Sequence, residues 1–251
     1  MKAILMAAGR GSRISRHIGD DPKCTLDVGG IELIKHTVSM LTKNQIEVII
    51  VLGYQGHIIR DVLADFDVKY YVNPFYNVTN SIASLWFARD EFNGEDIILS
   101  NADVYWDEDL LGAMLAEETT PVMLADSSRG EEGDYLFKWA DNKLELYGKD
   151  LTSPNITGEY VGIALLRQKD QADFLQRMDE MINNQEHDVW WENVLYSGIP
   201  DKTVYVKDIN PLFWAEVDYI EDYYRILQYR KNKGLSDIDL DEIRESLVQK
   251  L

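Results

Sequence analysis

The chain of 251 residues predicts an α/β fold, with a Rossmann-like, mostly parallel central sheet and helices on both faces. Three observations predict it. Apolar runs without alternation recur, at residues 2–7, Glu47 to Leu52 and Asp96 to Ser100, as in strands buried on both faces. Stretches of helical spacing lie between them, joined by short turns, which is the β-α-β-α-β order of a parallel sheet. The first run also passes straight into a glycine-rich loop, Ala8-Gly9-Arg10-Gly11-Ser12-Arg13.

Each element follows from its local pattern. Gly29-Gly30 marks a turn, and Ile31 to Lys43 carries apolar residues at helical spacing (Leu33, Ile34, Val38, Leu41). Glu47 to Leu52 closes at Gly53. A helix over His57 to Phe66 and a short strand over Val68 to Val72 follow. Asn77 to Asn80 is a turn offering an N-cap to a helix over Ser81 to Glu91. After the Asp96 to Ser100 strand come a helix, Asp107 to Glu118, and a strand, Pro121 to Ala125.

The pattern then changes. Tyr135 to Ala140 and Lys143 to Tyr147, joined by Asp141-Asn142, read as a β-hairpin. Glu159 to Leu166 is a strand, and Gln168 to Asn184 is an amphipathic helix with Phe174, Leu175, Met178, Met181 and Ile182 on one side. Val189 to Tyr196 reads as a helix, Thr203 to Val206 and Phe213 to Val217 as strands, and Tyr219 to Tyr229 as a helix. The tail from Leu235 to Leu251 keeps near-helical spacing, suited to folding back or to a homodimer contact. No linker or repeat interrupts the chain. The expectation is one domain, with a nucleotide-binding half over 1–125, an acceptor half over 126–230 and a helical tail over 231–251.

The chemistry starts at the first loop. Gly9 and Gly11 admit φ > 0 and leave room for a ligand beside the backbone. Successive N–H groups in such a turn form an anion nest. Arg13 adds a planar fork for phosphate oxygens, and Lys23, after Pro22, adds a point charge. The pattern is neither a Walker A motif nor a full dinucleotide fingerprint. Ligands in open α/β sheets bind outside the carboxyl ends of the strands, where both this loop and Asp103, after Asn101-Ala102, fall.

Composition narrows the partners. The formal net charge is −19, which repels nucleic-acid phosphates and argues against general DNA or RNA binding. A phosphate site must then be locally basic or metal-assisted, which gives Arg13 and Lys23 weight. The single cysteine, Cys24, forms no intrachain disulfide. The longest apolar runs are too short to span a bilayer, and the first residues lack the regions of a signal peptide. A cytoplasmic protein without membrane contact is the expectation.

Ala7-Ala8-Gly9-x-Gly11-Ser12-Arg13 with Pro22-Lys23 resembles the start of the nucleotidyltransferases that activate phosphorylated small molecules with an NTP. The resemblance implies a single-domain nucleotidyltransferase fold of the GT-A-like kind. It implies a nucleotide contact at Ala7, Ala8, Gly9, Gly11, Ser12, Arg13, Lys23 and Ala102, with Arg13 and Lys23 neutralising charge in the transition state. It also implies Mg²⁺ held by Asp103 and Asp218. Relatives often carry Asp-x-Asp where this chain has Asn101-Ala102-Asp103, which leaves open whether one or two metals serve. Asp218 also suits an N-cap.

The spacing of Asn80, Ser81, Ser84 and Leu85 resembles the choline-phosphate and phosphonate cytidylyltransferase branch, and Asn and Ser side chains can pair with cytosine. The same residues also suit a helix cap. Glu159-Tyr160-Val161-Gly162 and Trp190-Trp191-Glu192-Asn193 resemble acceptor-binding stretches of that branch. Aromatic faces with a carboxylate suit an ammonium group, and the same tryptophans also suit packing in the core. Asp134, Tyr135, Glu159, Tyr160, Trp191 and Glu192 are thus the candidate acceptor site. The implied partners are CTP and a small phosphorylated amine, amino-acid derivative or phosphonate. Sugar-1-phosphate nucleotidyl transfer, glycosyl transfer from a nucleotide-sugar, and nucleotide sensing without catalysis are the competing readings. The aromatic content and the Gly-Arg-Gly-Ser-Arg start disfavour the first two, and only Asn101 favours the third.

Overall fold

The computed structural model describes residues 1–11, 21–130, 133–199 and 201–238. Its centre is a nine-stranded sheet in the order β3-β2-β1-β4-β9-β6-β10-β8-β7. The strands are β1 (Lys2–Ala7), β2 (Glu47–Leu52), β3 (Lys69–Val72), β4 (Ile97–Asn101), β6 (Val122–Asp126), β7 (Leu136–Ala140), β8 (Lys143–Gly148), β9 (Gly158–Leu166) and β10 (Tyr205–Asp208). A separate two-stranded ribbon pairs β5 (Val104–Tyr105) with β11 (Ala215–Glu216).

The apolar runs without alternation form strands covered on both faces. Along β1 the odd positions Ala3, Leu5 and Ala7 pack against α1 (Leu33–Lys43), α2 (Gly56–Val62) and α4 (Glu108–Leu115). The even positions Ile4 and Met6 pack against α3 (Ser81–Phe87), α5 (Gln168–Asn183) and α6 (Asn193–Tyr196). The period of two thus feeds two cores from one strand. A third cluster seats α7 (Ile220–Asn232) on the ribbon through Ile226, Val217 and Tyr105. No helix among the described residues is long and apolar enough to cross a membrane.

The sheet is mixed, which corrects the expectation of a mostly parallel one. β3, β2, β1 and β4 are mutually parallel, as are β6 and β10. β9 runs antiparallel to both β4 and β6, and β7 and β8 form the hairpin at the far edge. A parallel neighbour needs a crossover of a dozen or more residues, usually helical. Between β6 and β9 the described residues form a 3-10 turn (Ser127–Arg129), the hairpin and short loops, with no α-helix, so β9 enters reversed. Its amino end therefore lies at the edge where β1 and β4 have their carboxyl ends.

Several elements are shorter than their periodicity predicts. The helix expected over Val189 to Tyr196 is confined to Asn193–Tyr196. The preceding backbone instead satisfies the open N-terminus of α3: Asn80 N donates to His187 O and Ile82 N to Val189 O. The helix expected to reach Glu91 ends at Phe87, followed by a 3-10 turn over Arg89–Glu91. The hairpin turn holds as expected, with Asp141 and Asn142 both at positive φ. Of the expected tail helix, residues 235–238 are non-helical and 239–251 lie outside the described residues.

Candidate active site

Neighbouring strands bring the candidate residues together. Met6 of β1 lies opposite Asn101 of β4, so the glycine-rich loop and Asp103 leave the sheet side by side. Glu216 of β11 lies opposite Val104, and Val217 N donates to Asp103 O at 3.0 Å. That register sets Glu216 and Asp218 beside Asp103. The amino end of β9 adds Glu159, Tyr160 and Gly162. Together they line a cavity of about 400 Å³, a size suited to a small ligand.

One end of the cavity is a charge cluster. Asp103, Glu216 and Asp218 each offer a carboxylate oxygen within 4.8 Å of the others. Lys23 bridges two of them, donating to Asp103 Oδ2 at 3.2 Å and to Asp218 Oδ1. Burial alone would lower the lysine's pKa, but the Asp103 and Asp218 carboxylates outweigh it and hold the ammonium above its ordinary range. Burial, together with Asp103 and Asp218, pushes Glu216 well above the usual carboxylate range. Three clustered carboxylates with one ammonium carry excess negative charge, and an oxygen-rich set of this kind fits a hard divalent cation. Gly11 fixes the lysine's path: its φ is +63°, and a Cβ there would overlap the Lys23 stem.

The wall beside this cluster is the start of α3. Asn80, Ser81 and Ser84 all line the cavity, and all have protein partners. Asn80 Oδ1 accepts from Ser81 N at 2.8 Å, while its Nδ2 donates to Asp188 O at 3.3 Å. Ser81 Oγ accepts from Trp191 N at 2.9 Å, and Ser84 Oγ accepts from Asn73 Nδ2 at 3.0 Å. This wall therefore anchors segment 187–191 as well as facing the cavity.

The other end is aromatic and acidic. Tyr135, Tyr160, Trp190 and Tyr196 line it with Asp134, Glu159 and Glu192. Glu192 is 5% exposed, and burial raises its carboxyl to about 7 against opposing hydrogen bonds from the backbone, the Asn101 amide and the Tyr160 hydroxyl. Glu159 is also buried, which raises its pKa, but both its oxygens are engaged: Oε2 accepts from Arg129 Nε at 2.6 Å and Oε1 from Asp134 N at 2.8 Å. Glu159 therefore holds the loop that presents Asp134.

Trp191 stands apart from the other acceptor candidates. It is 0% exposed and is not part of the cavity wall; its Nε1 donates to Asn101 Oδ1 at 2.9 Å. Its neighbour Trp190, 38% exposed, lines the cavity instead. The correction is geometric, because consecutive residues in this turn point opposite ways. Asn101 bridges both sides, donating through Nδ2 to Glu192 Oε1 at 3.3 Å.

Ala7, Ala8, Gly9, Gly11, Lys23, Ala102, Asp103, Asp134, Tyr135, Glu159, Tyr160, Glu192 and Asp218 thus share one cavity with the α3 wall. Ser12 and Arg13 lie outside the described residues. Arg10 places its guanidinium 5.4 Å from the Tyr54 ring centroid. Sequence reasoning missed Glu216, Lys149 and Tyr196 as wall residues, and it named Trp190 only within the aromatic stretch, choosing Trp191. Glu216 had a signal: it alternates with Asp218 along an extended segment, which puts both on one face.

Residues 3–237 match the family model of the MobA-like NTP transferase domain. The choline-phosphate cytidylyltransferase of Streptococcus pneumoniae is 23% identical over 237 residues, covering 93% of this chain and 100% of that protein. The CMP-5'-(3-aminopropyl)phosphonate synthase of Streptomyces rubellomurinus is 26% identical over 232 residues, covering 87% of this chain but only 37% of the larger relative. The solved structure of CTP:phosphocholine cytidylyltransferase from Streptococcus pneumoniae superposes with a TM-score of 0.77 at 21% identity, covering 91% of this chain and 98% of that one. At that identity the structural likeness is one of fold.

Proposed function

The chain belongs to the MobA-like NTP transferase domain family, and on that premise we propose that it transfers CMP from CTP to a small phosphorylated amine, amino-acid derivative or phosphonate, releasing pyrophosphate. The observation that carries the reading is the two-ended cavity, with the Lys23–carboxylate cluster at one end and Glu192 among aromatic rings at the other. A reaction joining an NTP to a phosphorylated amine needs both ends. The relatives named above act on CTP with choline phosphate or make a CMP-aminoalkylphosphonate, which agrees in chemistry with that second end.

The acceptor phosphate or phosphonate is itself the nucleophile, so the protein contributes positioning and charge neutralisation. The glycine-rich loop offers backbone N–H groups to the triphosphate. Lys23 neutralises phosphate oxygens as the bond to the α-phosphorus forms and the bond to pyrophosphate breaks, and Arg13 is assigned the same task. Asp103, Glu216 and Asp218 would hold Mg²⁺, which supplies Lewis-acid neutralisation of the phosphates when bound. The α3 wall is assigned the cytosine. Glu192, Asp134, Tyr135 and Tyr160 hold the acceptor's far end, with Glu159 and Trp191 positioning them.

Pyrophosphate release with Mg²⁺, crossing CTP, UTP, GTP and dTTP against phosphorylated amines and sugar 1-phosphates, tests the reading. Turnover with CTP and an amine-bearing acceptor is the expected outcome. Turnover confined to another NTP with a sugar phosphate would replace it with the sugar-activating alternative.

A further inference from the structure

The acceptor end is rich in aromatic rings, but their faces are largely covered by one another. Tyr196 stacks on Tyr147 at 4.2 Å and on Tyr135 at 5.8 Å. Tyr160 stacks on Phe137 at 5.0 Å. Trp190 meets Tyr135 edge-on at 5.4 Å, and the Lys149 ammonium lies 5.4 Å from its ring centroid. A quaternary ammonium has no N–H and is recognised by open ring faces. This end offers few.

What it offers instead is a buried carboxylate whose neighbours among the described residues are neutral. The hydroxyls of Tyr160 and Tyr196 are buried and make no well-aligned hydrogen bond, the first lying beside the Glu192 carboxylate and the second beside the Tyr135 hydroxyl. The Glu192 carboxylate is buried and paired with no lysine or arginine among the described residues; the side chains beside it are neutral, the Asn101 amide at 3.3 Å and the Tyr160 hydroxyl. A carboxylate accepts at about four lone-pair sites, and leaving a buried charge unpaired is costly. The missing partner is a cation that donates hydrogen bonds. A neutral hydroxyl could donate but would leave the charge uncompensated.

Resting on the cytidylyl-transfer reading, we propose that the acceptor's head group is an ammonium bearing N–H donors, primary or secondary rather than quaternary, and that Glu192 is the residue that selects it. The ammonium donates to the Glu192 carboxylate and to the Tyr160 oxygen, and the ring edges close around its carbon substituents. The chain thus departs from a choline-type acceptor even though its fold matches an enzyme that takes one.

A methylation ladder at constant charge tests this. The kcat/KM for CTP-dependent pyrophosphate release is measured with phosphoethanolamine and its N-methyl, N,N-dimethyl and N,N,N-trimethyl forms, the last being phosphocholine. The expected result is a fall of at least about tenfold at the final step, where the last N–H is lost. In Glu192→Gln the ratio between the ends of the ladder narrows to within about threefold, whereas a purely structural role would lower every rung equally. Tyr160→Phe, which keeps the ring, narrows the ratio less. Equal turnover along the wild-type ladder, or a preference for phosphocholine, overturns this inference while leaving cytidylyl transfer standing. Turnover of sugar phosphates with none of the four amines overturns both.

Discussion

The two ends of the cavity are built on different principles. At the phosphate end, charged groups from the 3-10 turn at Lys23–Thr25, from the turn after β4 and from β11 and the residues after it stand against one another: three carboxylates and one lysine, joined by short contacts. At the acceptor end, one buried carboxylate is set into a stack of rings. The first arrangement suits a highly charged ligand that arrives with its own cation. The second suits one charge of opposite sign, because its low-dielectric surroundings make an unmatched carboxylate costly. Affinity at the first end should respond to metal and ionic strength, and selectivity at the second to hydrogen-bond donors.

The sharpest way to break this contrast is to remove the lysine. Lys23→Ala should lower kcat by about 10²–10³-fold, the scale of losing one preorganised charge-stabilising donor. Its effect on acceptor KM should be small, as steady-state kinetics with saturating CTP would show. A variant with near-normal turnover would remove Lys23 from the chemistry. Next is the carboxylate cluster. Asp218→Asn should raise the Mg²⁺ concentration needed for half-maximal rate by about 10–100-fold, read from metal titrations. Glu216→Gln should move it in the same direction, and an unchanged Mg²⁺ requirement in both would exclude the cluster as the metal site.

The acceptor end should show itself in pH. Glu192 is raised from 4.5 to about 7 in the folded protein. A raised carboxyl contributes stability that is full below the unfolded value and is lost as pH rises through the folded one. Each pH unit of difference is worth about 1.4 kcal/mol. The ligand-free protein should therefore lose roughly 3 kcal/mol from this group between about pH 4.5 and pH 7. Denaturant unfolding across that window should show a shallower decline in Glu192→Gln. Parallel curves would mean that Glu192 is not buried as described. The smallest effect expected is Gly11→Ala, which forces a side chain into positive φ against the Lys23 stem. It should cost about 1–2 kcal/mol of stability and displace the lysine, so that kcat falls more than stability alone explains.

The phosphate end was largely legible in the sequence because its parts are contiguous or follow strands directly. The glycine loop continues β1, Asp103 follows β4, and Lys23 lies shortly after the loop. Glu216 was legible in principle from its alternation with Asp218, and was read only as part of the strand. The acceptor end was legible in kind but not in detail. Its composition comes from β9 entering the sheet reversed, which brings Tyr160 to the same edge as Asn101. That direction is a tertiary fact, although the lack of a helix between β6 and β9 was a clue to it. The exchange of Trp190 for Trp191 had no local signal: two adjacent tryptophans in an irregular turn carry no period to separate them. Likewise, Asn80 and Ser81 were read as base contacts or caps. In the structure Asn80 caps α3, and the two together tie it to segment 187–191, a link between distant segments that spacing does not reveal.

The most direct test of the account is the product itself. Wild-type protein is incubated with Mg²⁺, CTP and phosphoethanolamine, and the mixture is followed by ³¹P NMR. The account predicts the coupled pair of resonances of a cytidine diphosphate ester growing in step with pyrophosphate, and neither in Lys23→Ala on the same timescale. Pyrophosphate without the ester, or no reaction with CTP while another nucleotide is consumed with a sugar phosphate, would contradict it.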